Sequence, residues 1–201
     1  LRRVSLDLSG RLPTELEIET FLKTPAKERR KTQIETYLTL PDWADHWVSY
    51  WQDVLAENPG ILKPDLNNSG PFRWWLQQSF EDNLPMDRLV AELIQMKGSP
   101  NQGAPAAFAM ATLNDAPMAA KADILIQAFQ AEKLSCARCH DAPEHRHKQL
   151  DTFSLAAMLK GKALKLPESS TVPIVEGFRK PRIEISLEPG QSSGPGGLPE
   201  I

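Results

Sequence analysis

The sequence predicts a mainly α protein: an irregular multi-helix body over residues 1–161, followed over residues 162–201 by an extended, partly β C-terminal arm or the start of a further domain. Three observations carry this. Helix-start signals recur through the first 160 residues, tryptophans fall at helical spacing among them, and the character of the chain changes after Gly161. Residues 162–201 hold five of the eleven glycines and six of the seventeen prolines, too many helix breakers for a continued bundle.

Taken in order, Thr14 followed by Glu17 forms a capping-box signature, with Leu16, Ile18, Phe21 and Leu22 as an apolar face behind it. Thr24-Pro25 predicts a second start, with Pro25 at the first helical position and Ile34, Tyr37 and Leu38 facing inward. Pro41-Asp42 opens a third helix. Here Trp43, Trp47 and Trp51 recur at i, i+4, with Tyr50, Val54 and Leu55 extending the stripe. Pro59-Gly60 and Pro64–Gly70 mark a loop. Phe72–Phe80 and Asp87–Met96 form a helical pair split by a turn at Asn83-Leu84-Pro85, and Gly98–Pro105 reads as a loop. Further helices are expected from about Pro117 to Lys133 and from about Asp151 to Lys160, the last ended by Gly161. In the arm, Thr171–Val175 and Arg182–Leu187 show β-type patterning, and Ser192–Pro199 reads as a flexible tail. No internal repeat suggests a solenoid.

Composition narrows the function classes. The 201 residues are 41% hydrophobic and 24% charged, near globular averages. A net charge of −3 argues against a nucleic-acid surface, which needs a basic stripe to neutralise phosphates. The short basic runs Lys27–Lys31 and Glu144–Lys148 read as solvated faces. The longest apolar passage, Ala116–Phe129, is interrupted by Lys121, Asp123 and Gln127, so no direct membrane span is expected. The chain opens at Leu1 without a methionine and in mid-pattern, so its start says nothing about targeting. Paired catalytic carboxylates, phosphate-binding glycine loops, a serine nucleophile elbow and a zinc-protease helix are not seen.

The two cysteines carry the chemistry. Cys136-Ala137-Arg138-Cys139-His140 is a C-x-x-C-H pattern, the attachment signature of c-type haem. Two thiols three residues apart reach the two vinyl groups of one porphyrin, and the following histidine then lies under the iron. Cys136 and Cys139 are therefore the expected attachment residues of one haem c and His140 the proximal iron ligand, its other ring nitrogen bonded to a backbone carbonyl. Two rivals stand beside this. A thioredoxin-like pair would sit at a strand-to-helix turn, which the surroundings do not suggest. A structural zinc site would use Cys136, Cys139 and two of His140, His145 and His147, although a histidine directly after the second cysteine is awkward for tetrahedral ligation.

Candidates for the opposite axial position are His46, His145, His147, Met86, Met96, Met110, Met118 and Met158. His145 and His147 follow His140 too closely to cross to the far face. His46 reads as a boundary histidine. Met158, eighteen residues after His140 on a separate helix, is the distal candidate, against the ordinary use of methionine as core filler. A five-coordinate iron open to a small ligand is the other expectation. The five tryptophans read first as core packing.

On these residues the chain resembles the planctomycete-type cytochrome c family, in its haem-bearing module. The resemblance rests on Leu1–Gly10 running on to Phe21-Leu22, on Asp45-His46-Trp47 through Leu55, on Phe72–Trp75 through Val90, and on Cys136–Asp141. It covers about residues 1–160. It implies an extracytoplasmic haem protein, often part of a longer polypeptide. The chain departs from that pattern at Ala142, where a second histidine is usual, and at Gln130-Ala131-Glu132, where a glycine is usual. No role of that histidine is carried over to Ala142.

The leading expectation is a single-electron carrier or docking module, extracytoplasmic because c-type haem is attached there. It would work with redox partner proteins, alone or within a larger assembly. The alternatives are a haem enzyme or gas-binding sensor with an open sixth site, and a structural subunit in which haem ties the fold together.

Overall fold

The computed structural model describes residues 1–56, 70–110, 117–141, 144, 146–167, 187 and 190–196. The fold is mainly helical, as expected, with eight α-helices among the described residues and one two-stranded antiparallel ladder.

The first three helices are short: α1 (Arg2–Ser9), α2 (Glu15–Lys23) and α3 (Arg29–Leu38). Helix α1 stops at Gly10, whose φ of 67° suits glycine, and a Cβ there would run into the His46 ring. The Thr14/Glu17 capping box forms as expected: the Glu17 N–H donates to Thr14 Oγ1 at 3.3 Å, and the Thr14 N–H donates to Glu17 Oε2 at 2.6 Å. The apolar face behind it behaves differently. Leu16 is 71% exposed, Leu22 61%, and α2 buries no residue. The Pro25 start also shifts. Glu28 and Arg29 N–H groups both donate to the Pro25 carbonyl, so Pro25 opens a turn and the helix proper begins at Arg29. Tyr37 is buried as expected, whereas Leu38 faces out.

Helix α4 (Pro41–Leu55) begins with Pro41 at N1. Ala44, Val48 and Leu55 are buried, and Trp43, Trp47 and Trp51 lie half-buried against the same core. Trp43 meets Phe80 edge-on at 5.7 Å and Trp51 stacks on Phe129 at 5.6 Å. The stripe is thus core, wedged between two other helices. Tyr50, assigned to the stripe, points outward.

Helices α5 (Gly70–Glu81) and α6 (Met86–Gln95) follow, then a 3-10 turn over Pro105–Met110 that the sequence did not announce. It delivers Phe108, fully buried, onto Phe72 at 5.6 Å between ring centroids. Helices α7 (Pro117–Gln130) and α8 (Gln149–Lys160) pack on each other, and α8 ends at Gly161 in the left-handed conformation. Lys121 of α7 is fully buried, its Nζ 4.2 Å from the Phe108 ring centroid.

The arm differs most from expectation. Leu164–Lys165 (β1) pairs with Ser192–Ser193 (β2), so part of the expected flexible tail is a strand. Leu166 and Leu187 are buried with Ala119, Phe153 and Ala156 in a second apolar cluster. The Gly196 N–H donates to the Ser154 carbonyl, fixing the arm along α8. The expected β segment Thr171–Val175, and Arg182–Leu187 except for Leu187, lie outside the described residues, as do residues 59–60 and 64–69 of the expected loop. No helix among the described residues is long and apolar enough to cross a membrane.

Candidate functional site

The Cys136–His140 segment joins α7 to α8. Helix α7 ends where Ala131 takes a φ of 57°, which turns the chain away from the helix axis. A single helical turn follows. The Arg138 N–H donates to the Leu134 carbonyl at 3.1 Å, and the Cys139 N–H to the Cys136 carbonyl at 3.1 Å. The His140 N–H reaches the same carbonyl at 3.4 Å. Residues three apart on a helical turn share a face. Cys136 and Cys139 therefore stand side by side as free thiols, the first exposed and the second half-buried. Ala137, pointing the other way, is buried.

His140 is half-buried, its Nδ1 3.3 Å from the Asp141 carbonyl. With the proton on Nδ1, the ring lone pair resides on Nε2, the form a histidine needs to ligate a metal.

Three side chains not singled out from the sequence hold this turn. Asp123, in the middle of α7, accepts the N–H of buried Leu134 at 2.7 Å. Asp141 accepts the Gln149 N–H at 2.7 Å, placing a carboxylate at the N-terminus of α8, where helix N–H groups lack partners. Gln149, fully buried, donates through Nε2 to the Arg138 carbonyl at 3.3 Å. Only Asp141 had a sequence signal, its place directly after His140. Asp123 and Gln149 lie eleven residues from the groups they hold, beyond any local pattern.

A carboxylate clasp closes the loop. Glu132 takes a hydrogen bond from Arg146 at 2.9 Å and pairs with buried His147. The His147 contact, more than the nearby Arg146 charge, holds the Glu132 carboxyl below the usual carboxylate range, against the opposing effect of burial.

The residues present fit haem, with two free thiols on one turn and an imidazole directly after them. Among the described residues, no three His, Cys, Asp or Glu side chains converge to hold a metal ion by themselves, and His145, one of the zinc candidates, lies outside them. A structural zinc needs four such groups, whereas a porphyrin brings its own nitrogens and asks the protein for thiols and an axial base. The turn follows a helix instead of a strand, unlike a thioredoxin-type pair.

The remaining axial candidates are dispersed. His46 packs on Trp47 at 5.6 Å, at the junction of α1 and α4. His147 is engaged with Glu132, and His145 lies outside the described residues. Met86 is exposed, Met96 caps α6 with a φ of 44°, and Met118 joins the apolar clusters. Met158 is 38% exposed on α8.

No curated protein and no solved structure matches the chain. The family comparison corrects the resemblance to the planctomycete-type cytochrome c family, since the description of the family that does match assigns it no function. Residues 1–163 match that family, well over half of the chain, and the chain therefore belongs to PSCyt2, Protein of unknown function (DUF1549).

Proposed function

We propose that the chain carries one covalently attached haem c, bound through thioethers to Cys136 and Cys139 with His140 as an axial iron ligand, and that it serves single-electron transfer. The observation that carries the reading is the single helical turn that sets both free thiols on one face and brings the His140 imidazole directly after them. When bound, haem supplies a one-electron couple. The chain's own residues do the holding. Asp123 and Asp141 fix the two ends of the turn, and the Asp141 carbonyl orients His140. Met158 on α8 would be the second side chain offered to the iron, through its thioether sulfur. Because haem is attached to such turns outside the cytoplasm, the reading implies an extracytoplasmic protein working with redox partners, alone or in a larger assembly.

The test is to produce the full chain together with a c-type haem maturation system, then record its intact mass and pyridine haemochrome spectrum. The expected result is a mass excess of one haem that survives denaturation and is lost in the Cys136→Ser, Cys139→Ser double variant. No mass excess overturns the haem assignment. A low-spin spectrum with a reversible one-electron couple supports electron transfer, and a high-spin iron that binds carbon monoxide readily overturns it.

A further inference from the structure

The amide of Gln149 makes two bonds that point in different directions. Its Nε2 donates to the Arg138 carbonyl, inside the Cys136–His140 turn, at 3.3 Å. Its Oε1 accepts the Leu187 N–H, in the C-terminal arm, at 3.0 Å. Gln149 and Leu187 are buried, so neither group can exchange its partner for bulk water without opening the structure. The Gln149 N–H is itself held by Asp141 at 2.7 Å, which fixes the residue from which the side chain extends. Leu187 is seated beside it in the apolar cluster with Phe153 and Ala156 of α8. The family match ends at residue 163, so this side chain joins the matched body to a segment beyond it.

We propose that Gln149 is a positioning residue that couples the arm to the turn: one buried carboxamide holds the Arg138 carbonyl and the Leu187 N–H together, so seating the arm fixes the backbone carrying Cys136, Cys139 and His140. The bearing on haem rests on the function proposed above, whereas the coupling itself is a property of the chain. A carboxamide is suited to this place because it offers a donor and an acceptor from one planar group. An apolar side chain offers neither, and an ionised carboxylate offers only acceptors.

Two variants of the full chain separate the halves of the coupling. In Gln149→Met both bonds go, so the Cys139, His140 and Leu187 amides should exchange with deuterium about tenfold faster than in the wild type. In Gln149→Glu, at a pH high enough to ionise the buried carboxyl, the acceptor for Leu187 stays and the donor to Arg138 goes. Leu187 should then keep its protection while Cys139 and His140 lose theirs. In haem-loaded protein, both variants should shift the reduction potential. Wild-type exchange at Cys139 and His140 in Gln149→Glu overturns the proposal, as does an unchanged potential. If Gln149→Met fails to fold, Gln149→Glu decides alone. If wild-type chain takes up no haem, the proposed function fails, while the exchange rates still decide the coupling.

Discussion

The Asp123 carboxylate accepts the Leu134 N–H at 2.7 Å, so the residue at the base of the cysteine-bearing turn hangs from the middle of α7. Leu134 is fully buried, and its N–H has no water to fall back on. Asp123→Ala should therefore destabilise the chain by about 1–3 kcal/mol, the range for a buried donor left without an acceptor. Asp123→Asn keeps a carbonyl oxygen in place and should cost less than half as much. Urea unfolding checks this: the midpoint should fall in that order with an unchanged slope, and equal losses in the two variants would contradict it.

Ala131 holds a φ of 57° at the end of α7, in the left-handed region where a Cβ is strained. Ala131→Gly relieves that strain but adds freedom to the unfolded chain, so the net gain should be about 0.5–1 kcal/mol. Thermal unfolding should show a higher midpoint with unchanged helical content. A lower midpoint would mean that the Ala131 methyl contributes packing that outweighs its strain.

These two residues show where the sequence was legible and where it was not. The helices that announced themselves did so by local signals: Thr14 with Glu17, Pro41 at a first turn, Gly161 at a last one. The spacing of Cys136, Cys139 and His140 was local too. The Asp123–Leu134, Gln149–Arg138 and Gln149–Leu187 bonds depend on α7, α8 and the arm lying together, and residue order does not encode that proximity in any short pattern. The arm misled for a related reason. Its glycines and prolines read as a flexible tail, yet Ser192–Ser193 pairs with Leu164–Lys165 and Leu187 is buried. Helix α2 misled in the opposite direction, because an apolar stripe states what a helix can bury and leaves open whether anything covers it.

Arg11 ties α2 to α4. Its guanidinium forks onto Glu17, with both bonds at 2.9 Å, and its Nε donates to Asp42 at 2.6 Å. The bonds from Arg11, helped by the backbone and hydroxyl of Thr14, hold the Glu17 carboxyl down at about 2, against the opposing effect of burial. The folded value lies below the unfolded one, so the stabilisation is full above the ordinary carboxylate range. It is lost as pH falls through that range toward 2. Glu17→Gln should lower stability at neutral pH by about 1 kcal/mol and remove part of the acid-dependent loss. Denaturant midpoints recorded between neutral and acid pH would show the two curves converging in acid; parallel curves would contradict the assignment.

Glu132 performs a related task at the candidate site, where its bonds to Arg146 and His147 close the loop that contains the cysteines. Its carboxyl is held below the usual range first by the His147 contact, with Arg146 adding to it and burial opposing. The sign is that of Glu17: the clasp holds at neutral pH and weakens as pH falls through the depressed Glu132 value. Half-buried Cys139 reports on this, because its thiol must emerge to react. In haem-free protein, a pyridyl disulfide that remains reactive in acid should modify Cys139 slowly at neutral pH. Relative to an unfolded control at each pH, the rate should rise only in acid. Glu132→Gln should bring that rise to neutral pH, with reaction about fivefold faster than wild type. Exposed Cys136 should react alike in both, so any change confined to Cys139 belongs to the loop. Equal Cys139 rates in the two proteins at neutral pH would show that the cysteine-bearing turn is held by Asp123, Asp141 and Gln149 without help from the clasp.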